Sequence, residues 1–311
     1  MDVLLTLVGA ALLYLGAEAL VRGSVDLSLR LGVEPLMVGL TVVAFGTSAP
    51  EMAVSVLAAL EGHGDISIGN VLGSNSFNIG VILGISALIR PLRVHLKLIR
   101  RDMPIMIGAV LVSLPIVLAG RVPRWVGVLF VAGIVAYVME EARKAREDAA
   151  EASAVLALRP PAQYSWPVVI GMIAVGLATL VLGSKAFVAG AVGIARRAGI
   201  SEAVIGLTLV AAGTSLPELA TSAVAALKKQ ADIAVGNIVG SNIFNVLAIV
   251  GCAATIAPLA LRDVSLTDAI VTLGFSVCIL VFSRTGGKLS RLEGVLLLLA
   301  YIAYASLRLS S

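Results

Sequence analysis

The chain has 311 residues, of which 59% are hydrophobic and 14% are charged, and its mean hydropathy is +1.03. Soluble domains are about half apolar and about a quarter charged, so the composition argues against a soluble domain, a disordered chain or a nucleic-acid-binding protein, despite a net charge of +4. Cys252 and Cys278 lie in apolar runs and are expected to be buried free thiols. The chain has only two histidines, His63 and His95, which argues against a histidine-based metal site or catalytic triad.

Apolar runs long enough to cross about 30 Å of hydrocarbon recur along the chain. The first run, Val3 to Val21, lacks the basic leader of a cleavable signal peptide and contains Glu18, so it is interpreted as a membrane helix. The complete set predicts an all-α polytopic membrane protein with about ten transmembrane helices, at residues 3–21, 35–60, 65–89, 103–120, 123–140, 165–190, 201–227, 231–258, 264–283 and 290–308.

Basic residues are divided unequally between the connections on the two predicted sides of the membrane. Sixteen of the 23 lie on one side and six on the other, and Lys185 lies inside a helix. The positive-inside rule places the richer side in the cytoplasm. An integral protein of the cell membrane follows, with both termini outside and the connection 141–164 in the cytoplasm. The mixed charges of this connection favour a helical extension and a flexible linker.

The strongest feature is an internal repeat. The 42-residue segment that begins at Gly39 aligns without a gap with the segment that begins at Gly206, at an offset of 167 residues and with 24 identities. Each half has five predicted helices, an odd number, so the second half enters the membrane from the opposite side, as in many secondary transporters. The predicted organisation is a first five-helix repeat at 1–140, a cytoplasmic linker at 141–164 and a second, inverted five-helix repeat at 165–311.

Two glutamates occupy equivalent positions within the repeats. Glu51 and Glu218 lie inside apolar helices, where a charged side chain costs about 3 kcal/mol on insertion scales. A structural ion pair is the alternative to a functional site, but only Lys185 and Arg22 lie at a suitable depth. The symmetric carboxylates therefore favour a binding site in a polar cavity.

Helix-breaking residues surround both glutamates. Pro50 and Pro217 directly precede them, and each proline follows a Gly-Thr-Ser sequence that weakens the same turn. Proline removes a backbone donor and frees carbonyl groups. Broken helices at the bilayer midplane are tolerated where freed carbonyls line a polar cavity. One kink could be purely structural, but two symmetric kinks beside glutamates predict a site.

Polar residues recur at intervals of four in the helix that follows each glutamate. The two stripes are Asn70, Ser74 and Asn78, and Asn237, Ser241 and Asn245. For Asn70 and Asn237, helix packing and ion contact are both open interpretations, and the same holds for Asn75 and Asn242. Carboxylates, amides, hydroxyls and carbonyls are hard oxygen donors that suit Ca²⁺ and Na⁺ but offer nothing for zinc or copper.

The paired GTSxPE…GNxxGSNxFN blocks resemble the α-repeats of the sodium/calcium exchanger branch of the cation/Ca²⁺ antiporter superfamily, in its prokaryotic type. The resemblance covers essentially the whole chain and implies alternating-access exchange of Na⁺ for Ca²⁺. It implies that Glu51 and Glu218 are shared Ca²⁺ ligands, with the carbonyls of Thr47 and Thr214, and that Asn78 and Asn245 form a central pair. The resemblance also implies two Na⁺ sites. One site is formed by Ala44, Ser48 and Ser241, and its mirror image is formed by Ala211, Ser215 and Ser74.

Other classes of function are less well supported. An intramembrane hydrolase lacks its catalytic residues, so the chain is not expected to be an enzyme or to need a cofactor. A cation channel would use the same ligands, but inverted repeats favour a transporter. The alternative is Ca²⁺/H⁺ exchange or K⁺-dependent Na⁺/Ca²⁺ exchange, although asparagine rather than aspartate at Asn245 disfavours the latter. The expected partners are the two ions and the lipid bilayer, with no nucleic acid and no obligate protein partner evident.

Overall fold

The protein is almost entirely helical in a computed structural model that describes residues 1–151, 161–200, 205, 209, 211–262 and 264–310. The described helices are α1 (Asp2–Leu31), α2 (Pro35–Thr47), α3 (Ala49–Leu60), α4 (Gly64–Ile89), α5 (Leu98–Leu118), α6 (Arg124–Glu151), α7 (Trp166–Arg197), α8 (Ala211–Gly213), α9 (Leu216–Leu227), α10 (Ala231–Ile256), α11 (Leu266–Arg284) and α12 (Arg291–Ser310).

Seven of the described helices are long and apolar enough to cross a membrane, and the number is eight if α2 and α3 form one bent span. Two predicted spans lie outside this set. The run 290–308 is a helix, α12, but it does not meet the same test. The run 201–227 begins at residues outside the described part of the chain, and its described helix α9 has 12 residues.

Several helices extend beyond their predicted ends. Helix α1 continues ten residues past Val21 to Leu31, because its charged end is stabilised internally: Glu18 pairs with Arg22 at 2.5 Å and Asp26 with Arg30 at 3.0 Å, both at i,i+4. Helices α5, α6 and α7 are likewise longer than predicted. Hydropathy marks where apolar sequence ends, whereas a helix ends where its backbone is capped.

Helices α4 and α10 form the centre of the bundle. The apolar windows of these two helices are 67% and 94% buried, whereas those of α1, α5, α6 and α7 are each 28% buried. Helices α1 and α7 pack antiparallel along their length, with Gly9 against Gly183 and Gly16 against Gly176. The two helices with the polar stripes are therefore enclosed by the others.

The cysteines occupy peripheral positions. Both are free thiols, as expected, but the expectation of burial is wrong for Cys278, which is exposed on α11, and Cys252 is half-buried. An apolar helix face turned toward lipid has the same composition as one turned toward the core, so hydropathy does not separate the two.

Two short strand pairs connect the halves of the chain. Strand β1 (Leu92–Arg93) pairs antiparallel with β4 (Lys288–Leu289), and β2 (Arg121–Val122) pairs with β3 (Leu259–Ala260). The register pairs Leu92 with Leu289 and Leu259 with Val122. At the offset of 167 residues these two pairs are equivalent, so each strand pair is the counterpart of the other.

Candidate cation-binding site

Both glutamates lie in the first turn of a helix that begins after a break. The break falls at Ser48 between α2 and α3, whose axes differ by 46°, and at Ser215 before α9. Glu51 and Glu218 are each 1% exposed. A helix N-terminus carries partial positive charge, which favours an ionised carboxylate there. The predicted breaks beside Pro50 and Pro217 are therefore present.

The two carboxylates are linked across the halves of the chain. The Ser48 hydroxyl donates a hydrogen bond to Glu218 Oε1 at 3.0 Å, and the Ser215 hydroxyl donates one to Glu51 Oε1 at 3.0 Å. Thr214 is a second hydrogen-bonding neighbour of Glu51. Each glutamate is thus held by the Gly-Thr-Ser segment of the other half, which joins both breaks into one site.

Four buried oxygens at this site have no hydrogen-bond donor among the described residues. They are Glu51 Oε2, Glu218 Oε2, Asn78 Oδ1 and Asn245 Oδ1. A buried acceptor left without a partner costs about 1–3 kcal/mol, and more when it is charged. Lysine and arginine make no ion pair with either glutamate in the described part of the chain, so the structural ion pair is not formed there. Four oxygens and two negative charges suit a bound cation.

A ring of four amides fixes the direction of Asn78 and Asn245. The amide nitrogen of Asn78 donates to Asn242 Oδ1 at 2.9 Å, and that of Asn245 donates to Asn75 Oδ1 at 3.0 Å. Asn75 and Asn242 in turn donate to each other's backbone carbonyls at 3.3 Å. Since Asn78 and Asn245 use their amide nitrogens in the ring, their oxygens remain available for an ion.

The sequence leaves helix packing and ion contact open for Asn75 and Asn242, and the structure places them where they orient Asn245 and Asn78. Their symmetric places in the GSNxFN blocks were the available signal, but spacing does not distinguish a ligand from the residue that orients it. Backbone geometry contributes as well, because a π-helical segment begins at Asn78 in α4 and another at Asn245 in α10. Such segments often mark functional sites in helices.

The structure brings together only part of each of the two three-residue Na⁺ sites that the family resemblance implies. The Ser215 hydroxyl lies 3.3 Å from the Ser74 hydroxyl, and the Ser241 hydroxyl lies 3.5 Å from the carbonyl of Ala44. Ala211 begins α8, and its side chain lies outside the described part of the structure. Each of these two contacts joins a residue of the first half to a residue of the second half.

Asn70 and Asn237 make helix-packing contacts. The Asn70 amide donates to Ser55 at 2.9 Å and the Asn237 amide donates to Ser222 at 3.1 Å, each within its own half. The Thr47 hydroxyl donates to Asn237 Oδ1 at 3.1 Å, so the Asn237 side chain also contacts the end of α2, next to the break at Ser48. Of the two interpretations left open by the sequence, the packing one accounts for these contacts.

The family resemblance implies Ca²⁺ as the bound ion, and on that basis replacing Asn75 by alanine should weaken Ca²⁺ binding about tenfold, because Asn245 then loses the acceptor that orients it. The expected change is a rise in the KM for Ca²⁺ with little change in the maximal rate. The matched control is Ser76→Ala on the same helix, since Ser76 bonds Thr272 outside the site. An unchanged KM in Asn75→Ala, or an equal rise in Ser76→Ala, would contradict the positioning role.

The helical membrane fold and this acidic set of oxygen donors suit a membrane protein that binds cations. A family model described as "Sodium/calcium exchanger protein" matches residues 1–139 and 168–310. The chain therefore belongs to the sodium/calcium exchanger family of membrane antiporters.

Individual relatives cover nearly the whole chain. The sodium/calcium exchanger MaX1 of Methanosarcina acetivorans is 32% identical over 337 residues, 97% of this chain and 96% of MaX1. CaxA of Alkalimonas amylolytica is 38% identical over 312 residues, 98% of each chain. A solved structure of the sodium-calcium exchanger NCX_Mj, soaked with Na⁺ and Ca²⁺, matches with a TM-score of 0.84 and 30% identity over 98% of this chain and 97% of that one. MaX1 and NCX_Mj are named as exchangers and not as enzymes.

Proposed function

We propose that this protein is a secondary antiporter that exchanges Na⁺ for Ca²⁺ by alternating access. The observation that carries the proposal is the pair of buried glutamates with four unpartnered oxygens and no basic partner in the described chain. In this proposal Ca²⁺ binds between Glu51 and Glu218, and Na⁺ competes for the same carboxylates. The ions are substrates, and no cofactor takes part.

The remaining proposed ligands come in equivalent sets from the two halves of the chain. The carbonyls of Thr47 and Thr214 complete the coordination of Ca²⁺. One Na⁺ site consists of Ala44, Ser48 and Ser241, a second consists of Ala211, Ser215 and Ser74, and a third lies at the centre with Asn78 and Asn245. The contact between Ser215 and Ser74 and the contact between Ser241 and the Ala44 carbonyl support this division.

The proposed architecture is ten helices in two inverted five-helix repeats, 1–140 and 165–311, joined by the linker 141–164. The support is that contacts occur in equivalent pairs: adding or subtracting 167 from the residue numbers of one contact gives the other. The bond from Ser48 to Glu218 has its counterpart in Ser215 and Glu51, and the β1–β4 pair has its counterpart in β3–β2. The family model also matches one segment in each half.

The proposed topology places the β1–β4 end of the bundle in the cytoplasm and the β2–β3 end outside. Each strand pair joins two connections that the charge pattern assigns to one side. Cysteines introduced at His63 should therefore react with an impermeant thiol reagent from outside, and cysteines at Lys229 only from the cytoplasm. Labelling of both positions from the same face would contradict the inverted arrangement.

An ion pair joins α1 to the end of α9 on the proposed cytoplasmic side. Glu18 on α1 pairs with Lys228 at the end of α9 at 2.8 Å, and α1 packs along α9. At the repeat offset these residues correspond to Lys185 and Glu61, which carry the reversed charges. Lys185 and Glu61 are exposed and do not pair with each other, and α7 makes no comparable contact with α3 in the described chain. The two pairs therefore suit opposite states of an alternating-access cycle.

Cross-linking should distinguish these two states. In a background with both native cysteines replaced, Glu18→Cys/Lys228→Cys joined by a short bifunctional thiol reagent should lose transport. Glu61→Cys/Lys185→Cys should also become cross-linked and inactive, but faster under exchange conditions than at rest. Transport that survives either cross-link would contradict the alternation of the two pairs.

Ion-replacement flux tests the proposed function against its alternatives. Protein reconstituted in Na⁺-loaded vesicles should take up Ca²⁺ from medium that contains neither Na⁺ nor K⁺, with the pH equal on both sides. Uptake that requires K⁺ would select K⁺-dependent exchange. Uptake that follows a pH gradient and ignores Na⁺ would select Ca²⁺/H⁺ exchange.

A further inference from the structure

A cavity of about 990 Å³ opens at the β1–β4 end of the bundle, away from the glutamates. It lies between the end of α4, strand β1, the connection from α9 to α10 and the start of α12. Its charged and titratable lining residues are Arg90, Arg93, His95, Lys229, Asp232 and Arg291.

Among the described residues that line this cavity, cationic side chains outnumber carboxylates. Asp232 is the one carboxylate among the lining residues, and it lies 3.1 Å from His95. No ion pair or side-chain hydrogen bond of the described residues involves the four remaining cations, which are Arg90, Arg93, Lys229 and Arg291. Four cationic side chains of the cavity therefore have no paired carboxylate in the described part of the chain.

The strand register adds a like-charge contact at the rim. Arg93 on β1 stands directly opposite Lys288 on β4. Like charges in directly opposed positions of an antiparallel pair destabilise it. An anion bound in the cavity would relieve this repulsion.

Lys229 occupies a backbone conformation that glycine adopts at lower cost. Lys229 has φ 64°, a left-handed conformation that favours glycine, and the equivalent residue of the first repeat is Gly62, with φ 79°. The turn geometry alone would be met by glycine, as it is in the other half.

The equivalent place at the other end of the bundle has fewer cationic side chains. Arg90, Arg93 and Lys229 correspond at the repeat offset to Ala257, Ala260 and Gly62, whereas Arg291 corresponds to Arg124 and His95 to Arg262. Exposed basic residues anywhere on these connections would satisfy the positive-inside rule. The rule does not require them to line one cavity or to occupy a left-handed turn.

We propose that this cavity binds the phosphate headgroup of an acidic phospholipid. Arginine side chains match phosphate oxygens in a bidentate geometry, and basic pockets between membrane helices bind acidic headgroups. The apolar helices α4 and α9 end at the cavity, and Leu227 on its rim is 59% exposed, so an acyl chain has an apolar surface beside the phosphate site. A soluble phosphate would use the same cations but not this surface.

Thermal unfolding in neutral detergent tests the proposal. Phosphatidylglycerol should raise the Tm of the full chain more than phosphatidylcholine with the same acyl chains, because a ligand that binds the folded state stabilises it. The Arg93→Gln/Arg291→Gln variant should bind phosphatidylglycerol about 30-fold more weakly, since each cation near an anionic headgroup contributes about 1 kcal/mol. The matched control, Arg100→Gln/Arg284→Gln, removes two exposed charges at the same end but outside the cavity and should respond like the wild type.

Glycerol phosphate, which has the anion but no acyl chain, separates the two sources of phosphate. A Tm increase equal to that of phosphatidylglycerol would overturn the lipid assignment in favour of a soluble phosphate. An equal phosphatidylglycerol response in the cavity and control variants would overturn the site itself. Hydrogen exchange on the wild type gives a test that needs no variant: phosphatidylglycerol should protect residues 90–95 and 227–232, and the absence of local protection would contradict the proposal.

Discussion

Glutamine at position 51 or 218 should abolish Ca²⁺ transport while leaving the protein folded. Each substitution keeps the size of the side chain and its ability to accept the serine hydrogen bond, but it removes half of the negative charge of the site. Removing one partner of a buried charge interaction costs about 3–5 kcal/mol, which corresponds to at least a 100-fold loss of Ca²⁺ affinity. The effect should be similar for Glu51→Gln and Glu218→Gln, because the two positions are equivalent.

Isotopic Ca²⁺ uptake by purified, monodisperse variants in vesicles measures this effect. Glu147→Gln is the matched control, because Glu147 is an exposed carboxylate at the end of α6, outside the site. We expect wild-type uptake from Glu147→Gln and none above background from either site variant. Near wild-type uptake by Glu51→Gln or Glu218→Gln would remove the basis of the proposed site.

Exchange should also be electrogenic. With both glutamates ionised, the empty site has a formal charge of −2, so one Ca²⁺ makes it neutral and three Na⁺ leave it at +1. A stoichiometry of three Na⁺ to one Ca²⁺ therefore moves one positive charge with sodium. Each 100 mV of membrane potential then changes the driving force by about 2.3 kcal/mol, or about 50-fold in the equilibrium Ca²⁺ ratio.

Vesicles loaded with Na⁺ and diluted into Ca²⁺ medium free of Na⁺ and K⁺ reveal this charge movement. Uptake should slow as sodium exit makes the interior negative. A lipophilic anion that leaves the vesicles in parallel should restore the rate. Uptake that is insensitive to the potential would indicate electroneutral exchange and exclude the 3:1 stoichiometry.

The sequence predicted the centre of the molecule better than its edges. Glu51 and Glu218 were identifiable because a carboxylate in an apolar run is costly and because a 42-residue alignment places both in register. The breaks at Ser48 and Ser215 followed from the adjacent prolines. These features are local, so the chain alone specifies them.

Features that depend on contacts between the halves were not predictable. The hydrogen bonds from Ser48 to Glu218 and from Asn78 to Asn242 join residues 170 and 164 positions apart. Spacing places Asn75 beside the site but does not show that it orients Asn245. Sequence analysis does not predict the extension of α1 to Leu31, because the charged residues there lower the local hydropathy. A hydropathy profile does not show that these residues form ion pairs within the helix.

The most direct test of the central claim is to count both ions in the same vesicles. Purified protein is reconstituted with isotopic Na⁺ inside and isotopic Ca²⁺ outside, at equal pH and without K⁺. We predict that Ca²⁺ entry and Na⁺ exit rise together at about three Na⁺ per Ca²⁺, and that Glu51→Gln and Glu218→Gln remove both fluxes. Ca²⁺ entry without Na⁺ exit, or coupled fluxes that persist in either variant, would contradict a sodium/calcium exchange site built on these two glutamates.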